Sequence, residues 1–599
     1  MRRRTVKLLV ILALDPACGP TIAVADNDDT TGSTSDDSGS TAAPSTSGSQ
    51  ASTTDATSDA STDDPATTAL AESSTGLPYD IVELRLDPVF AILDSATGGQ
   101  TRDFHAIAVT DTGDEIDVTD AVTWSLDGPG TLEVGVLTTP ASDVPVFDRA
   151  TISATLDGID AVAHAAVSVR TSGPNTPQLF NLSHPPEPRQ LDYRPLIEKL
   201  DVFFLVDTVS WADEDFLIPF HDRVMNVIVP QLQAEGLDVQ FGSGRFSAFP
   251  LEGSGQDSCG NGQGDQPFEL WSEISPDIDE LAAGLAPAAA GAPIGCLYDR
   301  GSVGEALYQI ATGVGLDGPG ATYVEPNAGV RGGVGFREDS LAVIHSTTFD
   351  ILLSGLDLLA PMQGEALSVA HTPQQVVEAL QARQILHIGQ TEQSISSNGV
   401  GSFHAFAELA VETGGIVPQT GWNHPDLGRP ADCTLDECCV DDSDGYVSEI
   451  SDFCPLSSTY DLQAGAFNNP DDNIARDFYA LTHYLLTDVS TSLIGEDTSV
   501  SGIQLPAGTT TDTFITLTAL EADDPPEPDM PAVILDEGTF RLVSPGTNLN
   551  YEVTLDAAAV PAMAGEPLLY RVGVSLRTGY RAGSVVQEYW IVSPPLDTE

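Results

Sequence analysis

The chain has 599 residues, with 89 Asp and Glu against 23 Lys and Arg and a formal net charge of −66 at pH 7. That length exceeds what one hydrophobic core fills, so several domains are expected. A surface this acidic repels nucleic acid and anionic lipid, which excludes both as partners of the folded part, while it favours cations and solubility.

Residues 1–25 read as a signal peptide: Arg2, Arg3, Arg4 and Lys7 form a positive region, followed by the apolar stretch Leu8 to Leu14. Two processing routes fit. Ala17-Cys18-Gly19 offers a lipoprotein site at which Cys18 is lipidated, although Asp15 stands where such sites usually carry Leu. Ala23-Val24-Ala25 offers an ordinary small-x-small site, releasing a chain that starts at Asp26. No other apolar run approaches the ~20 residues that span a bilayer, so a membrane is reached only through an N-terminal lipid anchor. Export also implies an oxidising compartment. Besides Cys18 there are six cysteines, Cys259, Cys296, Cys433, Cys438, Cys439 and Cys454, and an even number suggests three disulfides.

Residues 26–78 are almost entirely Asp, Ser, Thr, Gly and Ala, with Leu70 the one large aliphatic residue before Leu77. Such a low-complexity segment cannot bury enough apolar surface to offset its conformational entropy, and it reads as a disordered linker or stalk. Over 79–170 the pattern turns to short alternating strands: Val82-Leu84-Leu86, Phe104-Ile107-Val109, Val122-Trp124, Ile152 to Leu156 and His164 to Val169. Turns such as Asp127-Gly128-Pro129-Gly130 and Asp157-Gly158 separate them. The spacing predicts a β-sandwich with Trp124 in its core. The stretches Val118 to Ser125 and Ile152 to Gly158 resemble bacterial immunoglobulin-like (Ig-like) repeats of surface proteins.

A Pro-rich connector, 171–197, leads into a region over 198–495. Its first strand, Asp201-Val202-Phe203-Phe204-Leu205-Val206-Asp207, is near-continuously apolar, as buried parallel strands are. Helical and strand patterns then alternate, predicting a doubly wound parallel sheet. Cys259 and Cys296 flank an insertion and are placed to pair across it. Cys433, Cys438, Cys439 and Cys454 fall in a Cys-rich insertion over about 422–470, where four cysteines allow three pairings. A helix over Asp472 to Leu493 is expected to pack through Ile474, Phe478, Leu481 and Leu485. From 498 to 599 strands return, predicting a second β-sandwich.

Four stretches resemble von Willebrand factor A and integrin-β-like domains: 201–207, Phe241 to Pro250, Glu305 to Gly313 and Phe403 to Gly415. The resemblance implies a multidomain protein whose central α/β doubly wound, Rossmann-like vWA domain is flanked by an N-terminal Ig-like β-sandwich and a C-terminal β-sandwich. It also implies a Mg²⁺ or Mn²⁺ site at the carboxyl end of the sheet, carrying Asp-x-Ser-x-Ser on a first loop, a Thr on a second and an Asp on a third. A hard cation of this kind wants about six oxygens. Here Val209 and Trp211 occupy the two hydroxyl positions after Asp207, and Phe349 stands where the third-loop acid belongs. Ser210, Ser302 and Asp350 are the nearest substitutes, so the adhesion site is degenerate.

Elsewhere, Asp441 to Gly445 looks like part of a Ca²⁺ loop, but Val440 and Ser451 replace the end ligands. There is no His-Glu-x-x-His, Gly-x-Ser-x-Gly or Walker sequence. The expectation is a non-enzymatic, exported protein of the outer membrane or cell surface, alternatively secreted or periplasmic. It would bind a protein or other macromolecule at the envelope, with no cofactor. An envelope spacer without a dedicated ligand, and a Mg- or Ca-dependent adhesin, are the alternatives.

Overall fold

The computed structural model describes residues 80–172, 176–208, 214–247, 266–291, 302–315, 331–348, 370–392, 400–422, 438, 453–460, 473–496, 515–527, 530–562 and 564–596. The first ten strands are β1 (Ile81–Asp87), β2 (Phe90–Ser95), β3 (Thr101–Asp103), β4 (His105–Thr110), β5 (Glu115–Asp117), β6 (Thr123–Asp127), β7 (Thr131–Glu133), β8 (Val136–Thr138), β9 (Val146–Leu156) and β10 (Ile159–Val169). A sheet ordered β1-β4-β5 and another ordered β2-β10-β9-β6 share one core, to which Leu84, Leu86, Ala106, Ile152, Ala163 and Val167 contribute. Their spacing of two is what sends them to the same side of each strand. β9 and β10 form a long hairpin, closed where Asp157 and Gly158 take φ of 55° and 85°, the left-handed pair a tight two-residue turn requires. Trp124 packs against this core half-buried, its Nε1 donating to the Thr119 carbonyl at 3.0 Å.

Two further strands follow at once, β11 (Gln178–Asn181) and β12 (Arg189–Tyr193). Their partners come from the far end of the chain. β11 runs parallel to β27 (Arg581–Ser593), and β12 antiparallel to β25 (Leu549–Leu555). Phe180 and Leu191 thereby reach a core that also holds Tyr551, Val572 and Tyr589. The six-stranded sheet of this assembly is ordered β11-β27-β26-β21-β24-β23, with β21 (Thr487–Glu496), β23 (Ile534–Asp536), β24 (Thr539–Val543) and β26 (Leu568–Thr578). Facing it is β12-β25-β22, with β22 (Ile515–Ala522). The sandwich read from residues 498–599 alone is therefore completed by strands that precede the middle of the chain.

Between β12 and β21 lies a six-stranded mixed sheet, ordered β15-β14-β13-β16-β17-β20. Its strands are β13 (Lys199–Asp207), β14 (Asp238–Phe246), β15 (Glu269–Ser275), β16 (Leu341–Thr348), β17 (Ile385–Glu392) and β20 (Ser457–Tyr460). β15 is antiparallel to β14; the other pairings are parallel. Both faces of β13 are buried: Val202, Phe204 and Val206 enter one apolar cluster, Phe203 and Leu205 another. The short strands β18 (Ile416–Pro418) and β19 (Phe453–Pro455) pair beside it.

The expected architecture, a central doubly wound vWA domain between two sandwiches, is corrected by this arrangement. Of the described residues 47% are strand against 21% helix, in many small sheets, and among them there is no clear central doubly wound α/β domain. An apolar run such as 201–207 reports burial on both faces, but it does not say which strands flank it or how they run. The helix expected over Asp472 to Leu493 is Asn473–Tyr484, and its last part belongs instead to β21. Thr487, Val489 and Thr491, β-branched at alternate positions, suit a pleated strand better than a helix.

Candidate functional site at the carboxyl end of the mixed sheet

Asp207 closes β13 and is fully buried. Parallel register places Val206 beside Thr347, and the next residue along β16, Thr348, donates its hydroxyl to Asp207 Oδ2 at 2.7 Å. Thr208 follows, its backbone N–H donating to the Phe246 carbonyl at 3.0 Å and its hydroxyl to the same oxygen at 3.2 Å. Arg245 Nη1 donates to Thr208 Oγ1 at 3.2 Å, while its Nε donates to Glu269 Oε2 at 2.6 Å. The end of the strand is thus fixed from two neighbours.

Ser302 is fully buried at the start of the helix Val303–Thr312. Its backbone N–H donates to the Ser247 carbonyl at 3.0 Å. Its hydroxyl donates to that same carbonyl and approaches the Pro267 carbonyl at 3.4 Å. Ser302 therefore ties three segments together. In the next turn Glu305 accepts from the His371 backbone N–H at 3.1 Å and from Gln309 Nε2 at 3.0 Å, and lies 2.9 Å from His371 Nδ1. These bonds pin the loop before the helix Pro373–Ala382.

Among the expected metal ligands, the structure describes Asp207 and Ser302. Ser210 and Asp350, together with Val209, Trp211 and Phe349, lie outside the described residues, as do Cys18, Cys259, Cys296, Cys433, Cys439 and the acidic loop 441–445. Among the described residues no group of three or more His, Cys, Asp or Glu is placed to hold a metal ion. Among the described residues Asp207 and Thr348 are the oxygen donors brought together here, where a hard cation would take about six. Thr348 was missed in the sequence, where the loop was searched for an acid; the register of β13 against β16 is the signal that finds it. In the Cys-rich region Cys438 and Cys454 form a disulfide, with Cα atoms 5.4 Å apart.

One turn deeper, a row of polar residues crosses the sheet. Thr347 is in register with Gln390, and Gln390 with Ser458. Ser458 of β20 donates at 2.7 Å to Oδ2 of Asp477, which is fully buried on the helix Asn473–Tyr484. Burial pushes the Asp477 carboxyl up to about 7, against the opposing pull of Ser458 and Arg476. His345 sits between Phe204 and Phe478, with ring centroids 6.0 and 5.5 Å away. His387 lies 3.0 Å through Nε2 from Ser346 Oγ and packs on Phe406. Burial pushes both imidazoles down to about 3, so both are neutral at ordinary pH.

No family model matches the chain, and no curated protein matches it. Among solved structures it is similar to the pilus adhesin SpaC from Lactobacillus rhamnosus GG in its open conformation, at a TM-score of 0.27 and 11% identity, over 80% of this chain and 56% of that one. It is similar also to the human COPII-coat protein Sec24c, at a TM-score of 0.25 and 7% identity, over 68% of this chain and 46% of that one. The chain thus spans about half the length of these structures, and likeness at this level establishes no shared fold.

Proposed function

We propose that the protein is an exported, non-enzymatic binding protein of the cell surface that holds a macromolecular partner without a bridging cation. The observation that supports this reading is the state of the two described candidate ligands. Asp207 is fully buried with Oδ2 taking the Thr348 hydroxyl, and Ser302 directs its hydroxyl to backbone carbonyls. Side chains committed in this way lock loops, and a locked carboxyl end of a sheet serves as a rigid recognition surface. The positive, then apolar, N-terminus favours export. Among the described residues no helix is long and apolar enough to cross a membrane.

The test uses the exported chain immobilised and exposed to solubilised envelope proteins, in magnesium and in EDTA, beside Asp207→Asn. The expected result is one retained partner, held equally in all three cases. Loss in EDTA and in Asp207→Asn together would restore cation-bridged adhesion. Retention of nothing would favour the spacer reading.

A further inference from the structure

The two β assemblies meet face to face. Phe147 of β9 stacks on Trp590 of β27 with centroids 4.7 Å apart, and Ala166 and Val592 complete a small buried core. Arg571 lies over both rings, and Arg149 pairs with Glu566 at the margin. At the rim of this contact the edge strands β2 and β11 flank a cleft of about 620 Å³. It lies within the size range of small-ligand sites.

The chemistry of the lining is unusual for so acidic a chain. Its one carboxylate, Asp94, is already committed: Arg170 donates Nε and Nη2 to its two oxygens, each at 2.8 Å, and Ser168 donates at 2.9 Å. That pairing leaves the other edge of the Arg170 guanidinium as a donor. Arg189 lies over the Phe180 ring at 5.7 Å and, among the described residues, has no carboxylate partner. The cleft therefore carries a local positive charge. Gln178 and Asn181 add amides that both donate and accept.

From this lining we infer that the cleft binds a short acidic oligosaccharide, its carboxylate held by Arg189 and its hydroxyls by the amides and the free edge of Arg170. A guanidinium without a protein carboxylate is a natural partner for a ligand carboxylate. Amides match hydroxyls, which also donate and accept. A peptide strand added to either edge would need apolar pockets for its side chains, and the cleft offers only the aliphatic surfaces of Ile92 and Leu179. The site uses no residue of the mixed sheet, so it stands independently of the function proposed above.

Calorimetry on the full exported chain tests the assignment with trigalacturonate, a neutral trisaccharide and a short Asp-rich peptide. Trigalacturonate is expected to bind, the neutral sugar about tenfold or more weakly by comparison, and Arg189→Gln to lose about tenfold in affinity. Arg189 is exposed, so its variant should melt with the wild type; Gln178→Ala serves as a second variant and should weaken binding less. Absence of binding by trigalacturonate, or binding unchanged in Arg189→Gln, would overturn the proposal. Tighter binding of the peptide would overturn it in favour of a polypeptide ligand.

Discussion

Asp201 and Asp207 lie on the same strand, six residues apart, and both are fully buried, yet they are held in different ways. Asp201 is closed in by charge. Oδ2 accepts from the Arg337 backbone N–H and the Ser340 hydroxyl, both at 2.7 Å, and Oδ1 accepts from Arg337 Nε at 2.8 Å. Asp207 takes a neutral hydroxyl from Thr348. A third buried acid, Asp477, also takes a hydroxyl, with Arg476 near enough to act on its charge. Burial of an acid therefore does not by itself mark a site; a guanidinium is among the partners of Asp201 and a neutral hydroxyl among those of Asp207.

The largest effect is expected at Asp201. Asp201→Ala removes the carboxylate that Arg337 and Ser340 share, and a loss of about 3–5 kcal/mol in urea unfolding is expected. A loss under about 1 kcal/mol would show the network to be ornamental.

Asp477 makes stability depend on pH. Its folded-state pKa, about 7, lies above the ordinary 3.8. Stability from the protonated form is therefore complete below pH 3.8 and is lost as pH rises through 7. Asp477→Asn removes that dependence, so the variant should gain on the wild type by on the order of 2–4 kcal/mol between pH 4 and pH 8. His345 and His387 act with the opposite sign. Their folded pKa values, about 3, lie below the ordinary 6.5, so their contribution is present above pH 6.5 and lost as pH falls toward 3. With two such groups against one, the three together raise stability as pH climbs from 4 to about 6.5. Melting curves across pH 4 to 8 check both signs.

A smaller effect is expected at Gly389, where an added Cβ would lie 2.3 Å from Phe406. Gly389→Ala should cost about 1–3 kcal/mol by overpacking, read in the same unfolding assay. Smallest is Asp207→Asn, which keeps an oxygen for Thr348 and should change stability by about 1 kcal/mol or less.

Much of the local structure was legible in the sequence. Alternation marked β9 and β10, Asp157-Gly158 marked their turn, and the apolar run 201–207 marked a strand buried on both faces. Long-range pairing was not. Phe180 and Leu191 read as parts of a Pro-rich connector because their partners, Ile591 and Tyr551, lie far along the chain. The periodicity of Ile474, Phe478, Leu481 and Leu485 carried a helix too far, and the pairing of β21 with β24 and β26 shows where it stops. At the candidate site Asp207 was legible as a buried acid, but Thr348 was not, since its role depends on strand register. The pairing of Cys438 with Cys454 was one of several the spacing allowed.

Recognition without a bridging cation is put to the test by magnesium titration of the full chain, followed by calorimetry and thermal melting beside Asp207→Asn. No binding heat and no change in melting temperature are predicted for either protein. A saturable heat with a rise in melting temperature, present in the wild type and lost in Asp207→Asn, would contradict it.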